Sequence, residues 1–598
     1  MMQPDWKKPM LVENKYLLPD PAYGEVKELI VIIGEAVAIS SEEEGEQEDD
    51  EEEKDEEGDL DLRSHKNCHC LSKKRLIAEV AMHESAVAIV AGGAVIFKNG
   101  NNAASQFIVY QASTEDVWGY ACGDEAHNNF INGTIPLVAN IDSSEPLEFI
   151  TIREKTADHL RHRDRFYVVE GFAGVEEIFR VPVRAFTSQA SHALLMKNML
   201  VPPKEAELEK FRETQPYLIF NASGLSCREL NVDMTSMVAV SFERKEMVIL
   251  GTDYAGEMKK GVFAIMSYEV PRMPNAVVPQ PSERALILHA SANRNASGVS
   301  DVSIFLGSLG TGKTTLSADP KRELIGDGAQ VWHTRGVFNI KGGCHRHVPF
   351  GTFLEDVGFK QKTQTDDDRD RFLSEDMLAV YPCISDKVSY HGQPKQILFL
   401  TRDTFGVLLA VAKLTYEQAF YYYLSGYTGK TQVSAPEATF SACYEEEFLA
   451  CHPVAYAETL VAKLQTAKAN AYLVNTGWVG GPCGVGERCS VGRTMQIIDA
   501  IHEGTLPESV WEEMLILGLK IPQDVWTRTN MAERPWIADR LFEIDRPEHA
   551  WKQAGKTSDE YEQFAKQLAG SFQKNFEKYA KMLQPERYEQ LKAAGPKA

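Results

Sequence analysis

The sequence predicts an α/β protein of two domains, the second built around a phosphate-binding loop for a nucleotide. Three observations lead there. Short β-branched runs alternate with helical stretches from about residue 75 onward. The segment Gly307 to Thr314 reads "GSLGTGKT". A chain of 598 residues, 43% hydrophobic and 25% charged, is long enough for at least two cores.

Residues 1–62 are expected to form a leader ending in an acidic tract. The formal charge is -23, but Glu42 to Asp61 carries fifteen acids and one lysine, which leaves only -9 for the rest of the chain. Such a tract lacks the apolar surface to offset ordering entropy, so it reads as disordered, a solvated linker rather than a contact for a basic partner. No domain-scale basic excess exists to release counterions, which argues against nucleic acid as a partner. "MMQPDWKKPM" has no apolar segment of signal-peptide type, and "LIVIIGEAVAI" is too short and too charged, through Glu35, to span a membrane. Ten dispersed cysteines suit a reducing compartment, so a cytoplasmic location is expected. "HKNCHC", from His65 to Cys70, has no second half with ligand spacing and reads as adventitious clustering.

Residues 63–283 are expected to form a mixed α/β domain, with "SAVAIVAGGAVIF", "QFIVYQ", "RFYVVEGF" and "EMVILGT" as strands. Residues 284–598 form the nucleotide domain, where "DVSIFLG", "QILFLTRD", "FGVLLAVAKL" and "AYLVNTGW" read as buried strands. "VAYAETLVAKLQTA" has helical periodicity. The stretch "TSDEYEQFAKQLAGSFQKNFEKYAKML" repeats apolar residues at three and four and predicts one amphipathic helix.

The loop follows an apolar strand and precedes an expected helix, the context its mechanism demands. Gly307, Gly310, Thr311 and Gly312 let backbone N–H groups converge on phosphate oxygens. Lys313 bridges the terminal phosphates of ATP, and Thr314 holds magnesium, with Thr315 beside it. The metal needs a second, acidic element, for which Asp327 in "ELIGDG" is the candidate. Upstream, "GTDYAGEMKKGVF" supplies Tyr254, Lys259 and Lys260, and "LHASAN" supplies His289. Adjacent ammoniums repel, so one of a lysine pair can lose its proton and serve as a neutral metal ligand, with a histidine as a second.

In this order, "GTDYAGEMKKGVF", "LHASAN", "GSLGTGKTTLSADPKRELIGD", "GVFNIKGGC", "SGYTGK", "ATFSAC" and "AYLVNTGW" resemble the ATP-dependent phosphoenolpyruvate carboxykinases. The resemblance runs from about residue 75 to the C-terminus. It implies a two-domain phosphoenolpyruvate carboxykinase-like fold with the active site in the cleft. It also implies conversion of oxaloacetate and ATP to phosphoenolpyruvate, ADP and carbon dioxide, with Mg2+ on the nucleotide and a second divalent ion, often Mn2+. Carried over by residue, Arg488 and Thr494 match positions near the base and ribose, Lys260 and His289 match two ligands of the second metal, and Tyr254 matches a tyrosine of the substrate cleft.

The third ligand of that metal is an aspartate in the family, and here it is Gly328. An arginine that grips the substrate carboxylate falls in "IFKNGNNAASQF", where Asn99, Asn101 and Asn102 stand instead. A second arginine, three residues before a Tyr-Pro, is replaced by Leu378, and a loop serine by Leu309. No match falls on Arg335, Arg346 or Arg369. An arginine supplied to phosphoryl transfer is worth about 10³ to 10⁵ in rate. The leading expectation is therefore an ATP-binding phosphotransferase with a changed small-molecule or protein acceptor. A working carboxykinase and an ATP-binding pseudoenzyme are the alternatives.

Overall fold

In the computed structural model of the chain, the described residues are, short gaps aside, 71–98, 106–110, 149–308, 310–348, 377–382, 392–430, 436–506, 511–526 and 551–597, with the strands Met10–Val12, Leu29–Ile32 and Arg540–Phe542. The acidic tract, the "HKNCHC" cluster, Asn99 to Asn102 and Leu309 lie outside them.

A six-stranded mixed sheet runs Gln106–Tyr110, Met237–Ser241, Glu246–Leu250, Tyr217–Ala222, Val181–Thr187, Tyr167–Ala173. Both faces are covered, so Met237 to Ser241 and Glu246 to Leu250 are buried at every position. That is why they read as continuous apolar runs rather than alternating ones.

The second large sheet has eight strands, in the order Arg322–Gly326, Ala290–Asn295, Val302–Gly307, Pro394–Thr401, Asn470–Asn475, Val411–Leu414, Lys520–Pro522, Trp511–Glu513. Its centre is parallel: Val302–Gly307 pairs with Pro394–Thr401, which pairs with Asn470–Asn475. Val302, Ile304, Phe305 and Leu306 are completely buried, each contributing about 1.5–3 kcal/mol of apolar burial. The strand that launches the phosphate loop is thus fixed in the core.

Between these sheets lies a three-stranded antiparallel one, Leu286–Leu288, Gln330–His333 and Gly336–Asn339. Its side chains alternate with period two. Leu286, Leu288, Trp332 and Val337 belong to the core of the nucleotide sheet. Ile287, Val331 and Phe338 join the other core, with Met258 and Ile265 of the helix Gly256–Glu269. His289 follows one strand of this sheet and Gly328 precedes another, so the seam between two cores carries them.

A further sheet runs Met10–Val12, Leu29–Ile32, Ala88–Ala91, Ala94–Lys98, Met377–Pro382, Gly343–Val348. Part of the expected leader therefore pairs with the body of the chain: Ile30 lies opposite Val90. Leu378 lies opposite Phe97, so this position neighbours the strand end that leads to the asparagines.

Two expectations need correction. "FGVLLAVAKL" is a strand only at Val411–Leu414. The preceding turn wraps the buried Asp403 carboxylate, which accepts from the amides of Phe405 (2.9 Å), Val407 and Leu408 (both 2.8 Å). A carboxylate that binds three amides outcompetes the ladder those amides would join. The terminal amphipathic helix stops at Phe576, passes through a short 3-10 turn, and resumes at Pro585–Ala594. The helix expected after the phosphate loop is present, over Lys313–Ser317.

Candidate active site

The phosphate loop leaves the parallel strand at Gly307. A side chain at 307 would press within 2.9 Å of the Leu400 carbonyl, on the neighbouring strand. Gly312 caps the short helix at φ 96°, a left-handed conformation that glycine adopts without steric cost. The Lys313 ammonium donates to the carbonyl oxygens of Gly307 and, at 3.2 Å, Ser308. It is buried and folded back on its own loop. The Thr311 hydroxyl donates to the Ser308 carbonyl (2.8 Å), and Thr476 donates to the Thr311 carbonyl (3.0 Å). Thr315 is exposed on the outer side of the helix.

Thr314 and Asp327 meet as expected: the hydroxyl donates to the carboxylate at 3.0 Å. Ser291 donates to the other carboxylate oxygen, and the Lys341 ammonium donates to the Asp327 main-chain oxygen at 2.7 Å. Burial works to raise the pKa of this fully enclosed acid. The charges of Lys341, Lys259 and Lys313, with the Ser291 hydrogen bond, outweigh it and hold the carboxyl below its ordinary value. Asp327 is thus kept ionised, as a magnesium-ordering group requires.

Lys260 and His289 also come together, lining one cavity with Lys259, Gly328 and Lys341. The Lys260 ammonium is 3.4 Å from Glu257 and 5.5 Å from the centre of the Tyr254 ring. Tyr254 lies over Gly256, where a side chain would collide with its ring. Arg488 stands apart from these, 3.4 Å from the Thr476 carbonyl and over the Trp478 ring at 5.6 Å. Thr494 is buried and donates to the Ser490 carbonyl of its own helix (3.1 Å), an ordinary helical back-bond.

Three residues escaped sequence reasoning. Ser291 and Lys341 lie inside segments that served only as family markers, "LHASAN" and "GVFNIKGGC". Arg402 was legible in principle, because it directly follows the strand parallel to the phosphate-loop strand, and α/β sheets bind ligands at the carboxyl ends of such strands. A side chain on Gly310 would lie 3.0 Å from its guanidinium. Another of its nitrogens donates to the Gly429 carbonyl at 3.2 Å, and its Nε is buried with no hydrogen-bond partner among the described residues. Burial, then the Arg488 charge, lower its pKa, and an anion beside it would work in the opposite direction.

A glycine-rich loop on a parallel strand, with its threonine bonded to a buried acid, defines a phosphate-loop nucleotide-binding protein. Comparison narrows the class. Residues 66–529 match the phosphoenolpyruvate carboxykinase family. Similar proteins include the phosphoenolpyruvate carboxykinase (ATP) of Emericella nidulans, 41% identical over 477 residues, 74% of this chain and 73% of that one. The protein of the same name from Saccharomyces cerevisiae is 38% identical over 477 residues, 74% of this chain and 80% of its own. That of Salinibacter ruber, "Phosphoenolpyruvate carboxykinase (ATP) 2", is 37% identical over 537 residues, 84% and 92%. This chain belongs to the ATP-dependent phosphoenolpyruvate carboxykinase family. Among the described residues no helix is long and apolar enough to cross a membrane.

Proposed function

We propose that the protein is an ATP-dependent phosphotransferase of the carboxykinase type, converting oxaloacetate and ATP to phosphoenolpyruvate, ADP and carbon dioxide in the cytoplasm. The observation that carries the nucleotide half is the 3.0 Å bond from Thr314 to an Asp327 held ionised beside Lys313. The donor set fits magnesium: a hydroxyl and a buried carboxylate at the foot of the loop. When bound, the ion neutralises the terminal phosphates. Lys313 leaves its loop carbonyls to grip those phosphates. Arg402, beside Gly310, adds a second fixed cation, and the buried site excludes water from the transferred group. Loss of carbon dioxide leaves an enolate whose oxygen takes the γ-phosphoryl group.

A second reading keeps the nucleotide half and changes the acceptor. It is favoured by Gly328, where the resemblance calls for a ligand carboxylate, and by Leu378, where it calls for an arginine.

The two readings separate in one assay. Purified protein with ATP, Mg2+ and Mn2+ is expected to form phosphoenolpyruvate from oxaloacetate at about one turnover per second or faster, the low end of enzyme rates. Absence of turnover with ATP binding intact transfers the proposal to a changed acceptor. If no metabolite or protein pool then takes phosphate from labelled ATP, the chain is a binding protein rather than an enzyme.

A further inference from the structure

The cavity beside the phosphate loop is lined by three lysines, Lys259, Lys260 and Lys341, with His289, Phe263 and Gly328 among the rest, and no carboxylate lines it among the described residues. At its back, Gly328 is buried with φ at 83°. A Cβ there would lie 2.8 Å from the Lys341 ammonium and 3.4 Å from that of Lys259. Two ammoniums therefore converge on the space that a side chain at 328 would fill. Lys341 is only 2% exposed and its ammonium is anchored by the Asp327 main-chain oxygen. The buried acid beside these ammoniums, Asp327, already accepts from Ser291 and Thr314.

These residues do not fit the second divalent ion of the family. Lys260 and His289 face the cavity, but position 328 offers no side-chain donor and two ammoniums stand where a third side-chain ligand would act. A dication placed there meets the like charge of Lys341 and Lys259, and the acids beside the lysines are already engaged, Asp327 by Ser291 and Thr314 and Glu257 by Lys260. No three histidine, cysteine, aspartate or glutamate side chains gather to hold a metal among the described residues.

We propose that this cavity is an oxyanion site that works without a second metal, the Lys341 and Lys259 ammoniums holding a carboxylate or phosphoryl oxygen of the acceptor. The inference rests on the phosphotransferase reading and deepens it: the acceptor is an anionic molecule held by fixed lysine charge. Ammonium-to-oxyanion hydrogen bonds are the strong, charge-assisted kind.

The test is calorimetry on the full chain with oxalate and, separately, inorganic phosphate, in EDTA without nucleotide. At least one probe is expected to bind, with an affinity changed less than twofold when Mn2+ replaces EDTA. Lys341→Gln and the half-exposed Lys259→Gln are each expected to weaken it at least tenfold. Tighter binding of oxalate assigns the site to a carboxylate, and of phosphate to the phosphoryl group. No binding of either probe, binding only with Mn2+, or no response to both variants overturns the proposal. Mn2+ counted by electron paramagnetic resonance gives an independent readout. The nucleotide-free protein is expected to hold none, and Gly328→Asp/Lys341→Gln to gain one; a protein-bound Mn2+ in the unaltered chain also overturns it. ATP-induced thermal stabilisation on the same samples keeps the failures apart. Oxalate binding without ATP binding refutes the phosphotransferase reading alone, and ATP binding with Mn2+-dependent oxalate refutes this inference alone.

Discussion

The two sides of the seam differ in what their charges balance. On the nucleotide side a carboxylate is in place: Asp327 is bonded to the Thr314 hydroxyl and held ionised by Lys341, Lys259 and Lys313, the first two of which it shares with the neighbouring cavity. On the acceptor side three lysines line a cavity with no lining carboxylate, around a residue that has no side chain. The first arrangement is preorganised for a metal-bound polyphosphate. The second is preorganised for an anion.

The largest expected effect tests the nucleotide side. Lys313→Ala removes the one cation seated inside the loop and should weaken ATP about 100-fold, the equivalent of about 3 kcal/mol for a lost charge-assisted bond. Stabilisation by ATP in a thermal melt would then vanish, and its persistence would displace the site from this loop.

Next comes Asp327→Asn, which keeps the shape and the main-chain bond to Lys341 but discards the charge. Binding of Mg2+–ATP should fall at least tenfold while metal-free ADP binding stays within about twofold, a change of under 0.5 kcal/mol. Equal losses for both ligands in calorimetry would mean that the carboxylate serves the fold and not the metal.

Arg402→Ala should cost about tenfold, near 1.4 kcal/mol, for ATP and leave AMP unaffected, because the guanidinium faces the Gly310 end of the loop. If AMP weakened as much as ATP, the arginine would be acting on the base side with Arg488.

The last test reads stability rather than affinity and concerns the support beneath the loop. His502, at the end of the helix Val491–His502, is hydrogen-bonded at 2.8 Å to Ser303 of the phosphate-loop strand. Burial, then the charges of Arg322 and Lys321, push its pKa down to about 3 from an ordinary 6.5. The folded protein thus holds it neutral while the unfolded chain binds a proton below pH 6.5. Stability from this group is complete above pH 6.5 and is lost as pH falls from there toward about 3, at up to about 1.4 kcal/mol per pH unit. His502→Gln should flatten that part of a melting-temperature profile between pH 6.5 and 4. An unchanged slope would place the acid sensitivity elsewhere.

Most of the nucleotide side could be read directly. "GSLGTGKT" after "DVSIFL" fixes a loop on a buried strand because glycine tolerance and strand burial are local properties of the chain. Where local reading failed, a distant partner decided. "FGVLLAVAKL" looks like a strand, yet Asp403 captures its first amides, and a hydrogen-bond competition of that kind is invisible to periodicity. Arg402 and Ser291 went unnoticed for a related reason: neither residue type is unusual, and only pairing between strands brings them to the loop and to Asp327.

By itself the sequence determined the class, the phosphate loop, the acid that partners its threonine, and the absence of a carboxylate at Gly328. Only the tertiary structure decided what fills that absence. Lys259 and Lys341 are 82 positions apart in the chain, and no pattern along it could show that their ammoniums converge beside one glycine. That requires a helix, a sheet end and a turn to pack at the seam between two cores. Packing, unlike periodicity, is a property of the whole chain at once.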